Sequence, residues 1–182
     1  MPKTLYSIIA ELGKEKIQRD ITLNREKSKQ YIQIMLARCL RISSFTTTGT
    51  TGSLCEALLH FMLTATTIPS VRKVSLDGIK LDIVIPNIQT LRNYPDKALV
   101  IQIVKEDERI SKEEQQKIKN IQPNHGNIWV VSKGPFPGDY INYTVDIEYN
   151  MHALMRRRFD DIITDIGSFL ERTRDRSFRF FH

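Results

Sequence analysis

The chain has 182 residues, a length that fits one domain with a sizeable core. Its hydrophobic fraction of 41% and charged fraction of 26% are those of a folded globular protein and exclude a disordered chain. The formal net charge of +6 is compatible with a nucleic-acid partner, and the basic excess lies near the two ends. No apolar run approaches a membrane span and the first residues lack a signal-peptide pattern, so we expect a cytoplasmic protein.

The first elements in chain order are predicted to be helices. A helix is predicted over residues 4–17, and apolar residues at spacings of three and four predict a second, basic and amphipathic helix over residues 23–42. The stretch SSFTTTGTTGS at 43–53 predicts a loop, either a plain connector or a set of hydroxyls and amides that face phosphate. We therefore divide the chain into an N-terminal helical extension with its Ser/Thr-rich loop, residues 1–51, and a core, residues 52–182.

The next predicted helix contains the first candidate site residue. Ser53 precedes the apolar run LCEALLHFMLTAT, and Glu56 follows three positions later, which is the spacing of a capping box. Glu56 either caps this helix only or faces inward, toward the strands that follow.

Three β-strands are predicted next. The segments SVRKVSL and IKLDIVIP alternate with period two around Asp77-Gly78, a strong signal for a hairpin with a type I′ turn over residues 71–85. A nearly continuous apolar run at 97–105 predicts a central strand that is covered on both faces.

The remaining segments complete an α/β pattern. SKEEQQKIKNIQ predicts a polar helix capped by Ser111, and GNIWVVS from residue 126 predicts another buried strand. TVDIEY at 144–149 predicts the last strand, and residues 152–175 predict a long terminal helix. Because strand, helix and strand in succession imply a parallel crossover, we expect a central mixed β-sheet flanked by helices.

Two strands contain polar residues where apolar ones are expected. Asp82 lies in the apolar strand LDIVIP, where removing a carboxylate from water is costly unless a cation or hydrogen bonds compensate. Gln102 interrupts the next strand, VIQIVK, and Lys105 ends it. This arrangement predicts a functional site. Alternatively, Asp82 has a purely structural role, in which it pairs with a core arginine or caps a turn.

The combination of Glu56 on a helix before a hairpin, Asp82 in the second strand and a polar residue plus Lys105 in the third resembles the PD-(D/E)XK nuclease superfamily. The resemblance covers roughly residues 52–133. It implies a restriction-endonuclease-like αβββαβ core, here with a long C-terminal helix, and a metal-dependent endonuclease that hydrolyses phosphodiester bonds in nucleic acid, with DNA favoured. It further implies that Asp82, Glu56 and Gln102 bind Mg²⁺ or Mn²⁺, and that these three residues and Lys105 form the catalytic set.

The third strand departs from the E-x-K pattern of that superfamily. Gln102 and Lys105 are three residues apart, so they fall on opposite faces of a regular strand. In one register, Ile103 takes the position of the acid and Lys105 that of the lysine. In the other, which we favour, Gln102 replaces the acid, Val104 replaces the lysine, and Lys80 on the second strand supplies the cation.

Nucleic acid is the partner that the resemblance and the basic charge imply. Arg156, Arg157 and Arg158 are the candidate phosphate contacts, because three adjacent arginines on the predicted terminal helix cannot all point inward. Cleavage of both strands of a duplex would favour a homodimer. Two alternatives stay open: a catalytically inactive nucleic-acid-binding module of the same fold, and a structural subunit that docks a partner protein through its basic helices.

Overall fold

The computed structural model describes residues 2–41, 49–105, 111–145 and 156–178. The helices and strands in these ranges are, in chain order, α1 (Pro2–Leu12), α2 (Lys14–Leu23), α3 (Lys27–Arg41), α4 (Gly49–Ala65), β1 (Val71–Leu76), β2 (Ile79–Ile85), α5 (Ile88–Asn93), β3 (Leu99–Ile103), α6 (Lys112–Ile121), β4 (Ile128–Ser132), β5 (Ile141–Thr144), β6 (Arg156–Arg158) and α7 (Ile162–Phe178). None of the described helices is both long enough and apolar enough to cross a membrane.

One mixed sheet forms the centre of the fold. Its six strands lie in sequence order, β1 to β6, with antiparallel pairing from β1 to β3 and parallel pairing from β3 to β6. The prediction of a mixed sheet flanked by helices is confirmed, and all five residues of β3 are buried, as expected for a central strand.

Helices cover both faces of the sheet. The larger apolar cluster joins α1 to α4 and α7 to one face, and it includes Ile32, Leu58 and Ile163. The smaller cluster lies on the other face, beneath Leu91 of α5 and Ile118 of α6. The helices assigned to an N-terminal extension therefore share the core of the sheet, and both cysteines of the chain lie free and buried in the larger cluster.

The β-hairpin and the cap of α6 match their sequence signals. Asp77 and Gly78 have φ of 51° and 78°, the two positive values that a type I′ turn requires. The hydroxyl of Ser111 accepts from the backbone N–H of Glu114, whose carboxylate accepts from the N–H of Ser111 in return. The sequence predicts the turn and the helix cap correctly because the residues that form each of them lie within four positions of one another.

The N-terminal helices differ in extent from their prediction. A single helix over 4–17 is wrong, because Gly13, with φ of 83°, separates α1 from α2. The second predicted helix is found as α3, which begins at Lys27, four residues later than the pattern suggested.

The start of α4 also differs. The helix begins at Gly49, so Ser53 lies inside it and the predicted capping box with Glu56 is wrong. Thr51 and Gly52 are buried, and the α-carbon side of Gly52 faces the backbone of Val104 and Lys105. This packing extends the helix through a Ser/Thr/Gly stretch whose composition alone favours a loop; residues 43–48 of that stretch lie outside the described residues.

The C-terminal region contains the largest difference. Arg156, Arg157 and Arg158 form strand β6, which pairs with β5, so their predicted place on a helix is wrong and α7 begins only at Ile162. Hydrogen bonding to the edge of the sheet has overridden the helical spacing of the flanking apolar residues. The strand predicted from TVDIEY is found earlier, as β5, and residues 146–155 lie outside the described residues.

Replacing Gly52 with alanine tests the contact between α4 and β3. The new Cβ would lie 2.9 Å from the Val104 carbonyl oxygen and 3.1 Å from the Lys105 α-carbon. Alanine gains about 1 kcal/mol of helix propensity, whereas forcing packed backbone apart costs about 1–3 kcal/mol. We therefore expect urea denaturation to show a net loss of up to about 2 kcal/mol.

Gly134→Ala is the matched control, since nothing lies within 4 Å of the Cβ that it would add. Its free energy of unfolding should stay within about 0.5 kcal/mol of the wild type. Equal stability of the two variants would show that α4 is not tightly packed against Val104 and Lys105, the residues that follow β3.

Candidate active site

The pairing of β1 with β2 is interrupted at Asp82. Residue pairs form on both sides of this position, but the pair Lys73–Asp82 is missing from the ladder. Lys73 has φ of 49°, in the left-handed region that a bulky residue seldom adopts. Leu81 packs in the smaller apolar cluster and Ile83 in the larger one, although residues two apart normally share a face. The strand β2 therefore changes face at Asp82.

Side chains replace the ladder between β2 and β3 at the same level. The Gln102 side-chain carbonyl accepts from the backbone N–H of Asp82 at 2.9 Å, and the Gln102 amide donates to the Lys80 carbonyl at 3.1 Å. The Asp82 carboxylate accepts from the N–H of Ile103 at 2.8 Å. Gln102 is buried and Asp82 half-buried, so these three hydrogen bonds compensate for the water that both side chains lose.

Glu56 is surrounded by three cations. Its Oε1 lies 2.9 Å from Arg72 Nη2 and 3.2 Å from Lys73 Nζ, and its Oε2 lies 3.4 Å from Lys105 Nζ. The Glu56 side chain is 9% exposed. Burial alone would raise the pKa of Glu56, but the hydrogen bond from Lys73 and the charges of Lys105 and Lys73 hold that pKa below its ordinary value.

The structure gives the predicted site residues different partners. The Gln102 side chain meets the backbone N–H of Asp82, whereas the ammonium of Lys105 meets Glu56. The backbone carbonyl of Lys80 accepts a hydrogen bond from the Gln102 side-chain amide. The placing of these residues in one catalytic set stays a prediction.

Sequence reasoning missed Arg72 and Lys73. A signal was present, because a two-residue turn at Asp77-Gly78 already places Lys73 opposite Asp82 in the hairpin. The left-handed backbone that brings Lys73 to Glu56 has no such local signal.

Arg157 and Arg158 of β6 lie beside carboxylates. Arg157 Nη1 donates to Asp165 at 2.7 Å, and the same carboxylate oxygen accepts from the Tyr143 hydroxyl. Arg158 makes two-pronged contact with the buried carboxylate of Asp160, at 3.0 Å and 2.8 Å. These pairings neutralise much of the local positive charge, and the predicted phosphate-binding role of Arg156, Arg157 and Arg158 stays a prediction.

Solved structures with the same arrangement of elements were found by comparison. The restriction endonuclease PspGI in complex with substrate DNA is 17% identical, with a TM-score of 0.59 over 93% of this chain and 92% of that chain. The chain has a restriction-endonuclease-like fold.

Ecl18kI, in metal-depleted form with uncleaved, modified DNA, shares this restriction-endonuclease-like fold at 12% identity, with a TM-score of 0.59 over 94% of this chain and 78% of that chain. Its metal-depleted complex with uncleaved DNA is also 12% identical, with a TM-score of 0.54 over 94% and 79% of the two chains. No protein-family model and no curated protein matches the chain. The fold that the resemblance implied is confirmed.

The donor atoms of this restriction-endonuclease-like site can be compared with the needs of Mg²⁺. Mg²⁺ is usually bound by one or two carboxylates, with water and substrate phosphate completing the shell. Asp82 fits this role, since the Ile103 N–H orients its carboxylate. Glu56 fits it less well, because cations contact both of its oxygens. Within the described ranges, no three Asp, Glu, His or Cys side chains are grouped closely enough to hold a metal ion.

Replacing Glu56 with glutamine tests the electrostatic role of its carboxylate. Near neutral pH we expect the free energy of unfolding to fall by about 1.5–3 kcal/mol, the usual contribution of a hydrogen bond to a charged group. The folded-state pKa of Glu56 lies below its ordinary value of 4.5, so the stabilisation is complete above that pH and is lost as pH falls through the folded pKa. Urea denaturation from neutral to acidic pH measures the difference between variant and wild type.

Glu113→Gln serves as the control, because Glu113 is exposed on α6. Its free energy of unfolding should stay within about 1 kcal/mol of the wild type at every pH, because Glu113 contributes only the interaction of an exposed acid with the first turn of α6. A loss in Glu56→Gln that does not shrink under acid would contradict an electrostatic origin.

Proposed function

We propose that this chain is a metal-dependent nuclease that hydrolyses phosphodiester bonds in DNA. The fold supports the proposal, because the solved structures that it resembles are restriction endonucleases in complex with DNA. The observation that carries it is the half-buried Asp82, which interrupts the sheet at the level where Gln102 interrupts the next strand. A carboxylate and an amide oxygen at one break in an apolar sheet are oxygen ligands of the kind that Mg²⁺ prefers.

Mg²⁺, or Mn²⁺, is the cation proposed for this site. Asp82 would hold it, with Gln102 as a neutral oxygen donor beside it. When bound, such an ion neutralises charge that develops on a phosphate and lowers the pKa of an attacking water. Arg72 and Lys73 both contact Oε1 of Glu56, so this residue could become a second ligand through Oε2 after Lys105 moves away.

Residues of β3 and of the segment that follows it would hold the Asp82 carboxylate in position and stabilise charge on the substrate. The Ile103 N–H fixes the Asp82 carboxylate through a 2.8 Å hydrogen bond, so its direction is set by the backbone of β3. Lys105 is partly exposed and lies at the end of the same strand, where its ammonium can stabilise negative charge on a phosphate oxygen.

Asp82→Asn tests the proposal. Asparagine keeps the shape and can still accept from the Ile103 N–H, so the variant should fold, while the charge that holds the cation is lost. We expect cleavage of plasmid DNA in Mg²⁺ or Mn²⁺ to fall about 100-fold or more. Thermal unfolding of the variant checks that the fold is intact.

Asp77→Asn is the matched control, because it makes the same chemical change in an exposed turn where asparagine before glycine is favoured. This variant should cleave like the wild type. Equal activity of Asp82→Asn and wild type would exclude Asp82 from the reaction.

The second candidate function is DNA binding without cleavage. It is favoured by the cations that contact both oxygens of Glu56 and by Gln102 at the position of an acid. Wild-type protein that binds DNA but leaves it intact in both Mg²⁺ and Mn²⁺ would establish this function and overturn the nuclease.

A further inference from the structure

Two consecutive cations of β1 reach one carboxylate, which a regular strand does not allow. Arg72 Nη2 and Lys73 Nζ lie 2.9 Å and 3.2 Å from the same oxygen of Glu56. Neighbouring residues of a regular strand point to opposite faces of the sheet. The positive φ of 49° at Lys73 breaks this alternation and brings both side chains to the α4 face.

The backbone at Lys73 is unusual for its position. Positive φ is unfavourable for a residue with a long side chain, and such strain persists where the surrounding structure or a function requires it. Among the described non-glycine residues with positive φ, Thr67 follows α4, Asp77 lies in the hairpin turn, and Lys73 alone lies within a strand. The strained residue is also the one opposite Asp82.

The group of Arg72, Lys73, Lys105 and Glu56, here called the cation cluster, has more positive than negative charge. Three cations face one carboxylate, so two positive charges of the group are not balanced within it. The Lys73 side chain is 65% exposed and can reach a ligand in solvent. The Nε–H of Arg72 is buried and has no hydrogen-bond partner in the described part of the chain.

We propose that the cation cluster binds a backbone phosphate of DNA next to Asp82, with Glu56 holding the three cations in position. An anion with several oxygens suits this group, since arginine and lysine both form strong charge-assisted hydrogen bonds to phosphate. The proposal rests on the proposed function for the identity of the partner, but it does not depend on cleavage. From the sequence, Lys80 is expected to supply the cation of the site. The proposal gives that role to Lys73, which lies opposite Asp82 in the hairpin.

The test measures affinity for a short DNA duplex in EDTA over about 50 to 200 mM salt. Lys73→Gly removes the cation and its contact with Glu56, but glycine accepts the positive φ without strain, which offsets part of that loss, so the variant should still fold. We expect weaker binding, with the slope of log affinity against log salt reduced by about 0.9, the value for one lost phosphate contact. Lys105→Gln should reduce the slope in the same way.

Two controls separate charge from structure. Lys73→Arg keeps the positive charge at the same backbone position and should retain the wild-type slope. Lys14→Gln removes an exposed lysine at the start of α2 and should also leave the slope unchanged.

An unchanged slope in both Lys73→Gly and Lys105→Gln would overturn the proposal and leave the cluster a structural ion pair. A reduced slope in Lys73→Arg, or no binding by the wild type at low salt, would overturn it too. Binding is measured in EDTA, which removes divalent metal, so this test does not depend on cleavage. A reduced slope in a protein that also fails to cleave DNA in Mg²⁺ and Mn²⁺ would support the cluster while refuting the nuclease.

Discussion

Three hydrogen bonds from the side chains of Asp82 and Gln102 to the facing backbones join β2 to β3 where the ladder stops. Without them, unpaired backbone groups and two polar side chains would lie in an apolar sheet, at a cost of about 1–3 kcal/mol for each buried group left without a partner. With them, β2 can change face at Asp82, so that Leu81 and Ile83 pack in different apolar clusters. The interruption thus serves the packing of the sheet and places oxygen atoms at its centre.

The cation cluster depends on the close approach of α4 to the same level of the sheet. Gly52 permits that approach, because any side chain there would meet the backbone of Val104 and Lys105. Glu56 lies one turn further along α4 and receives the cations of β1 and of Lys105. The close packing of α4 against the residues that follow β3 therefore brings Glu56 to the three cations. The Glu56 carboxylate in turn offsets the repulsion among these positive charges.

Local chemistry made part of this structure predictable. The Asp77-Gly78 turn gave the hairpin, and the polar residues Asp82 and Gln102 stood out because burial of such groups is costly. Longer-range contacts decided the rest. Ser53 has the sequence of a helix cap, yet packing against β3 moves the helix start to Gly49. Arg156–Arg158 pair with β5 rather than continue a helical pattern, since an available sheet edge supplies the backbone hydrogen bonds.

We propose that a divalent cation and a DNA phosphate meet at the interruption of the sheet. A crystal structure of the chain with a DNA duplex and Mn²⁺, with the ion located by anomalous scattering, tests this most directly. We expect an anomalous peak bonded to the Asp82 carboxylate at roughly 2 Å, near the ligand distance of Mg²⁺, with a backbone phosphate in contact with Lys73 or Lys105. A duplex bound on another surface, with no anomalous peak at Asp82, would contradict it.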